Sequence, residues 1–262
     1  MQKKISFKNS KGQRLVGVLH IPQGQGPFPA VIVQHGLKGS HNSPLIKLIA
    51  DDLEKNGFAI LRFSLSGHKP SGGTYKDVLV SQFLNDIKLG LKFLKDQTKI
   101  KRCKIGIVGQ SLGAFTSLLS ATIHKNHIKT IVSISSFFDV EAVLRSYYRD
   151  GKIKESNEYY WEISGFKVTT RHFNDRNYLK KKYLIKNIHC PALIIHGDQD
   201  TRVQPKDAQT IFNLLNQPKR LKIIKGASHN FDNQKQAGQV AKVTTKWLKN
   251  YLIGEDSAER DG

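Results

Sequence analysis

Two rhythms of apolar and polar positions run along the chain. Residues 3–8 (KKISFK) and 14–21 (RLVGVLHI) alternate with period two around the polar, glycine-containing break NSKGQ, the pattern of an opening antiparallel hairpin. From residue 29 the alternation stops. PAVIVQH (29–35) is a short, continuous, β-branched run, as expected of a strand buried on both faces. SPLIKLIADDLEKNG follows with apolar residues at helical spacing, Pro44 near its start and Gly57 just past its end. FAILRF predicts another buried strand, and the loop SLSGHKPSGG leads to a helix predicted from Asp77 to about Gln97. The cycle then repeats: strand KIGIVG, helix LGAFTSLLSATIHK, strand HIKTIVSIS, and later strand PALIIHG, helix PKDAQTIFNLLN, strand RLKIIKG, helix QAGQVAKVTTKWLKNYL. Strands that alternate with helices predict an α/β fold with a parallel sheet covered on both faces.

One connection breaks the rhythm. About 50 residues separate the strand ending near Ser136 from the strand starting near Cys190, where such connections usually need one helix and a handful of loop residues. This stretch holds 11 aromatic residues, among them Tyr147, Tyr148, Tyr159, Tyr160 and Trp161. So aromatic an insertion should pack over something, and residues 137–188 are expected to form a cap or lid above the C-terminal edge of the sheet. Some of the rings will serve only the insertion's own small core. Residues 1–136 and 189–253 form the core domain, and the acidic tail 254–262 is expected to be disordered.

Composition narrows the picture. No apolar run approaches the roughly 18–20 residues that span a bilayer, and the first residues lack the continuous apolar stretch of a signal peptide. Cys103 and Cys190 offer neither a disulfide framework nor metal-ligand spacing, so reduced, buried thiols and a cytoplasmic protein are expected. The 42 basic against 21 acidic residues give a net charge of +21, which favours anionic partners. The lysines are spread over almost every segment, however, without interleaved aromatics or a nucleic-acid motif. A general lysine bias explains them better than a dedicated polyanion site, and no specific nucleic-acid site is expected.

The chemistry concentrates in three loops. Gly109-Gln110-Ser111-Leu112-Gly113 fits G-x-S-x-G directly after a β-branched strand and before a helix. A nucleophile on so sharp a turn adopts a strained backbone, and small flanking residues avoid collisions there. The helix start aims free N–H groups at developing negative charge. A serine hydroxyl needs a base beside it, so a carboxylate and a histidine should follow later strands, in that order. PALIIHG runs into DQDTRVQP and RLKIIKG into ASHNF, which makes His229 the expected general base and Asp200 the acid that orients it. Asp198, two residues earlier, competes for the acid role but adjoins the glycine turn and is expected to close it. The backbone N–H of Leu112, after the nucleophile, is one expected oxyanion donor. Leu37 N–H is the other, in His35-Gly36-Leu37-Lys38-Gly39, which resembles the His-Gly segment of esterases; an ordinary strand-to-helix turn is the alternative reading of those glycines. His35 is expected to shape this loop rather than move protons.

Over about residues 3 to 253, the segments HGLKGS, GHKPSGG, GQSLG, HGDQD and GASHNF resemble the α/β-hydrolase superfamily, most of all bacterial carboxylesterases of the feruloyl (cinnamoyl) esterase-like group. The resemblance implies a mostly parallel eight-stranded sheet with an inserted cap after strand 6. It implies hydrolysis of carboxylic esters by a Ser-His-Asp triad, without metal or organic cofactor. Gln110 stands where such relatives often have histidine, and Asn230 where they often have glycine; both departures bear on pocket shape. His68 matches a loop histidine of mostly structural role. Haloalkane or epoxide chemistry is disfavoured, because those relatives carry a carboxylate at the position of Ser111. Thioester or peptide cleavage by the same triad remains open, as does a non-catalytic polyanion-binding protein. The expected partner is a small-molecule ester, aromatic according to the cap or anionic according to the lysine excess.

Overall fold

The computed structural model describes residues 1–149, 153–157, 160–163, 165–169, 171, 175 and 180–254. The chain opens with the expected hairpin: β1 (Gln2–Lys8) pairs antiparallel with β2 (Arg14–His20). Then come β3 (Phe28–Gln34), α1 (Pro44–Lys55), β4 (Ala59–Phe63), α2 (Val80–Lys95), β5 (Ile100–Gln110), α3 (Leu112–Ile123) and β6 (Thr130–Ile134). Past the insertion, β10 (Ala192–Gly197), α5 (Pro205–Leu214), β11 (Lys219–Ile224) and α6 (Gln234–Leu248) complete the core. The eight core strands form one sheet in the order β1-β2-β4-β3-β5-β6-β10-β11, parallel from β4 onward.

Each face of this sheet carries its own apolar core. Ile32, Ile107, Ile131 and Ile194 meet Phe83 and Leu91 of α2, Phe115 and Leu118 of α3 and Ile211 of α5. Val33, Val108, Val132 and Ile195, on the other face, meet Ile49 and Leu53 of α1 and Val240 and Leu248 of α6. Burial on both faces explains why these strands read as continuous apolar runs. α1 follows its sequence pattern, with Leu45, Ile46, Ile49, Ala50 and Leu53 buried and Pro44 in its first turn.

Several boundaries differ from the sequence reading. The helix predicted from Asp77 begins at Val80, because Asp77 ends a single 3-10 turn (Tyr75–Asp77) in which Thr74 and Asp77 form a capping box. The Asp77 carboxylate accepts from Thr74 N (2.9 Å) and Lys11 Nζ (2.7 Å), which fixes the turn apart from α2. β5 starts at Ile100, ahead of the predicted Lys104, and pairs Phe28 with Ile100 before its register with β3 shifts.

Between β6 and β10 lie α4 (Val140–Arg149), a separate antiparallel sheet of β7 (Ile153–Asn157), β8 (Tyr160–Ile163) and β9 (Phe166–Thr169), and a 3-10 segment (Lys180–Asn187). Ile163 and Val168 are fully buried and join the α2–α3 core. The Phe166 ring stacks on His68 at 4.9 Å, and Ser81 N donates to Asp175 Oδ2 at 3.0 Å, so the small sheet is seated on the core beside the start of α2. Tyr159 and the side chains of Tyr148 and Tyr160 lie outside the described residues, as does the tail from residue 255.

Candidate active site

Ser111 stands between the last residue of β5 and the first of α3, with φ 55° and ψ −118°, a conformation that costs a non-glycine residue about 1–3 kcal/mol. Close packing imposes it. A Cβ on Gly109 would lie 2.3 Å from the Gly113 carbonyl oxygen, and one on Gly113 would lie 2.4 Å from the His35 carbonyl oxygen. Only glycine at both positions lets the turn press against the end of β3. The Ser111 N–H donates to Ile134 O at 2.8 Å, which ties the turn to the neighbouring strand β6.

The loop after β11 brings His229 to this turn. Its Nε2 lies 3.0 Å from Ser111 Oγ and its Nδ1 2.7 Å from Asp200 Oδ2. A carboxylate only accepts, so Nδ1 carries the proton and Nε2 is left to accept from the serine hydroxyl. Asp200 is buried. Burial alone would raise its pKa, but hydrogen bonds from His196 and His229, with backbone support from Val203, hold the carboxyl well below the usual range. Asp198 is otherwise engaged: its Oδ1 accepts from Gly226 N at 2.6 Å, bridging the loops that follow β10 and β11. Gln199 N donates to Ala227 O at 3.1 Å across the same gap.

His196 went unnoticed in the sequence. It is fully buried at the end of β10, with Nε2 3.1 Å from Asp200 Oδ2 and 2.9 Å from Val203 O. The available signal was a lone polar residue in the otherwise apolar run ALIIHG.

Leu37 and Leu112 border the same pocket as Ser111 and His229. The Leu112 N–H opens α3 and has no intrahelical acceptor. Leu37 sits in a tight turn closed by Gly39 N to Gly36 O (3.0 Å), with Lys38 at φ 66°. His35 anchors this turn: Nδ1 meets Gly36 O at 2.8 Å, and Nε2 accepts from Leu65 N at 3.0 Å. Burial lowers the His35 pKa to about 4, so the ring is neutral near pH 7. His68 packs between His35 and Phe166, 4.9 Å from each ring.

Among the described residues, two spaces flank Ser111. One is apolar, walled by Val80, Phe137, Val140, Val143, Tyr147 and Val203. The other is a more open groove of mixed character that includes Lys38, Gln110, Asn230 and Asp232 beside Leu45 and Leu48. Both sequence departures, Gln110 and Asn230, therefore face the groove and not the apolar pocket. Arg202 borders both spaces.

Among the described residues, one group of side chains has metal-ligating chemistry, His20 with Asp51 and Glu54. His20 Nδ1 is committed to Glu54 (2.8 Å) and Nε2 accepts from Arg62 Nε (2.8 Å), so neither ring nitrogen offers a lone pair. No helix among the described residues is long and apolar enough to cross a membrane.

The profile of the prolyl oligopeptidase family matches residues 52–255. Esterase EstD of Thermotoga maritima is 23% identical over 236 residues, covering 80% of this chain and 56% of that protein. Acyl-coenzyme A amino acid N-acyltransferase 1 of Mus musculus is 27% identical over 200 residues; the match covers 74% of this chain and less than half, 45%, of the mouse protein. Est1E of Butyrivibrio proteoclasticus, solved with ferulic acid bound, superposes with a TM-score of 0.77 at 21% identity, covering 96% of this chain and 98% of that one. The strand order and these likenesses make the fold that of the α/β-hydrolases.

Proposed function

The chain belongs to the prolyl oligopeptidase family of α/β-hydrolases, and from that premise we propose that it cleaves carboxylic esters by a Ser-His-Asp mechanism through an acyl-enzyme. The contact of Ser111 Oγ with His229 Nε2 at 3.0 Å, in line with His229 Nδ1 and Asp200 Oδ2 at 2.7 Å, carries this reading. Ser111 attacks the ester carbonyl while His229 takes its proton, and Asp200 stabilises the imidazolium. The oxyanion is held by the N–H groups of Leu112 and Leu37. Collapse expels the alcohol with a proton from His229, and water repeats the cycle on the acyl-enzyme.

Residues 137–188 act as the cap in this reading. Phe137, Val140, Val143 and Tyr147, all from that segment, wall the apolar pocket and favour an apolar or aromatic acyl group. The ferulic acid bound to Est1E is consistent with that choice. The Arg202 guanidinium, partly buried on the rim, has no hydrogen-bond or ion-pair partner among the described residues, which favours a substrate with an anionic group beside the scissile ester. Arg202→Met should then lower kcat/KM for p-nitrophenyl monosuccinate about 10-fold or more while sparing p-nitrophenyl butyrate. Equal effects on both esters would remove the anionic preference. A cytoplasmic setting belongs to the same proposal and rests on two free thiols, of which Cys190 is partly buried and Cys103, against expectation, is exposed.

Intact-mass analysis after fluorophosphonate treatment tests the mechanism. One adduct on the wild type, absent from Ser111→Ala, is expected. No adduct on folded protein would overturn the reading and bring forward a non-catalytic, polyanion-binding role. The family description favours amide cleavage as the second reading, and the mouse relative, an acyl-coenzyme A acyltransferase, brings acyl-CoA thioesters into the comparison. Kinetics on p-nitrophenyl esters, acyl-CoA and aminoacyl amides rank the three substrate classes; ester turnover below that of either alternative would reassign the substrate.

A further inference from the structure

We propose that His196 is a positioning residue for Asp200, a fourth member of the site that holds the acid's Oδ2 in place for His229. The inference rests on the triad reading above. Asp200 accepts three hydrogen bonds, and its Oδ2 makes a fourth polar contact, with His196. Oδ1 accepts from Arg202 N and Val203 N, both at 2.9 Å and both from its own loop. Oδ2 accepts from His229 Nδ1 at 2.7 Å and lies 3.1 Å from His196 Nε2.

These partners differ in what they fix. The two backbone donors belong to residues 202 and 203, so they tie the carboxylate to its own loop and do not themselves fix it to β10. His196 belongs to β10, at its paired end beside β11. Its Nε2 also lies 2.9 Å from Val203 O. Both partners of Nε2 are acceptors, so Nε2 carries hydrogen and shares it between the carboxylate and the loop carbonyl. One buried side chain thus pins the acid and the loop bearing it to the sheet.

The ring's other nitrogen reinforces the assignment. Nδ1 is buried without a hydrogen-bond partner, beside Ser135, whose Oγ is also unpartnered; Ser135 N donates to Ile195 O, which sets the two residues side by side. A leucine would fill this apolar strand without a buried, unpaired Nδ1. What histidine alone supplies here is the donor at Nε2.

That difference gives the test. Glutamine extends an amide nitrogen to about the reach of Nε2, whereas asparagine reaches only as far as the partnerless Nδ1. With a p-nitrophenyl ester as substrate, His196→Leu and His196→Asn are expected to lower kcat about 10- to 100-fold, the factor set by one hydrogen bond to a charged group, with KM changed less than about threefold. His196→Gln is expected to recover most of kcat. A role in packing alone would not rank glutamine above asparagine. His196→Leu within about twofold of wild-type kcat, or His196→Gln no better than His196→Asn at equal thermal stability, would overturn the proposal. If His196→Leu does not fold, the contrast between glutamine and asparagine decides. Ser111→Ala run alongside separates the two levels: turnover surviving in Ser111→Ala refutes the triad reading itself, whereas its loss there with His196→Leu unaffected refutes only the role of His196.

Discussion

Gly36→Ala adds one methyl group at the point where the candidate oxyanion loop meets Ser111. The new Cβ would stand 3.0 Å from Ser111 Cβ, 3.2 Å from Gln110 O and 3.6 Å from Ser111 Oγ. Carbon atoms rest comfortably at about 3.5–4.0 Å, so the first contact overlaps by about half an ångström. Neither close neighbour can swing aside. Ser111 N is bonded to Ile134 O and Ser111 O accepts from Phe115 N, so relief must come from parting the loop and the turn by a few tenths of an ångström. Overpacking of this kind costs about 1–3 kcal/mol of stability. The shift also moves Leu37 N–H away from Ser111 Oγ. Displacement by 1 Å can cost about 100-fold in rate, so a few tenths should lower kcat about 10-fold or somewhat less. Gly106→Ala is the control. Its Cβ would meet Leu252 Cδ1 at 3.1 Å, Leu248 Cδ2 at 3.2 Å and Thr130 Cγ2 at 3.3 Å, five residues before Ser111 on the same strand. Kinetics with p-nitrophenyl acetate beside thermal melts of both variants should show both destabilised and only Gly36→Ala slow. Wild-type kcat in Gly36→Ala, or an equal loss in Gly106→Ala, would refute the geometric reasoning.

Three further outcomes are expected. His35 is neutral in the folded protein down to about pH 4, whereas an unfolded histidine takes its proton near 6.5; stability is full above 6.5 and falls as pH drops from there to about 4. The total is about 3 kcal/mol for this fully buried ring, and urea titrations should show a shallower loss over that window in His35→Gln; an unchanged slope would contradict the assignment. Asp200→Asn should lower kcat about 10³- to 10⁴-fold, because an amide nitrogen facing His229 selects the wrong tautomer; a loss under 10-fold would show that Asp200 does not orient the ring. Phe166→Ala removes the ring stacked on His68, and hydrogen exchange should rise in β7–β9 ahead of the core strands; uniform exchange would show that this contact does not seat the insertion.

The parts that sequence rendered legibly share a physical origin. Val31, Ile32 and Val33 must be apolar together because β3 is buried on both faces, and that requirement writes the strand directly into composition. Gly109 and Gly113 are likewise demanded by backbone contact around one residue, so the turn announces itself in five letters. Chain order then placed Asp200 and His229 on loops that the fold brings to Ser111. What escaped depends on contacts between distant residues. Asp77 looks like a helix start until Lys11 and Thr74 claim its carboxylate. β7–β9 are four- and five-residue strands, too short for period-two alternation to stand out from the insertion's aromatic content. His196 reads as an interruption of a strand, and its meaning appears only when Asp200 and Val203 fold back onto it.

The lacing of the two loops after β10 and β11 has a mechanical consequence. Asp198 grips Gly226, and Gln199 grips Ala227, so the loops bearing Asp200 and His229 are held together. Ser111 is tied instead to β6, through Ile134. A deformation that parted β6 from β10 would therefore open the gap between imidazole and hydroxyl before it disturbed the alignment of imidazole with carboxylate. The distance such a strain would change first is that from His229 Nε2 to Ser111 Oγ, which the pairing of β6 with β10 sets.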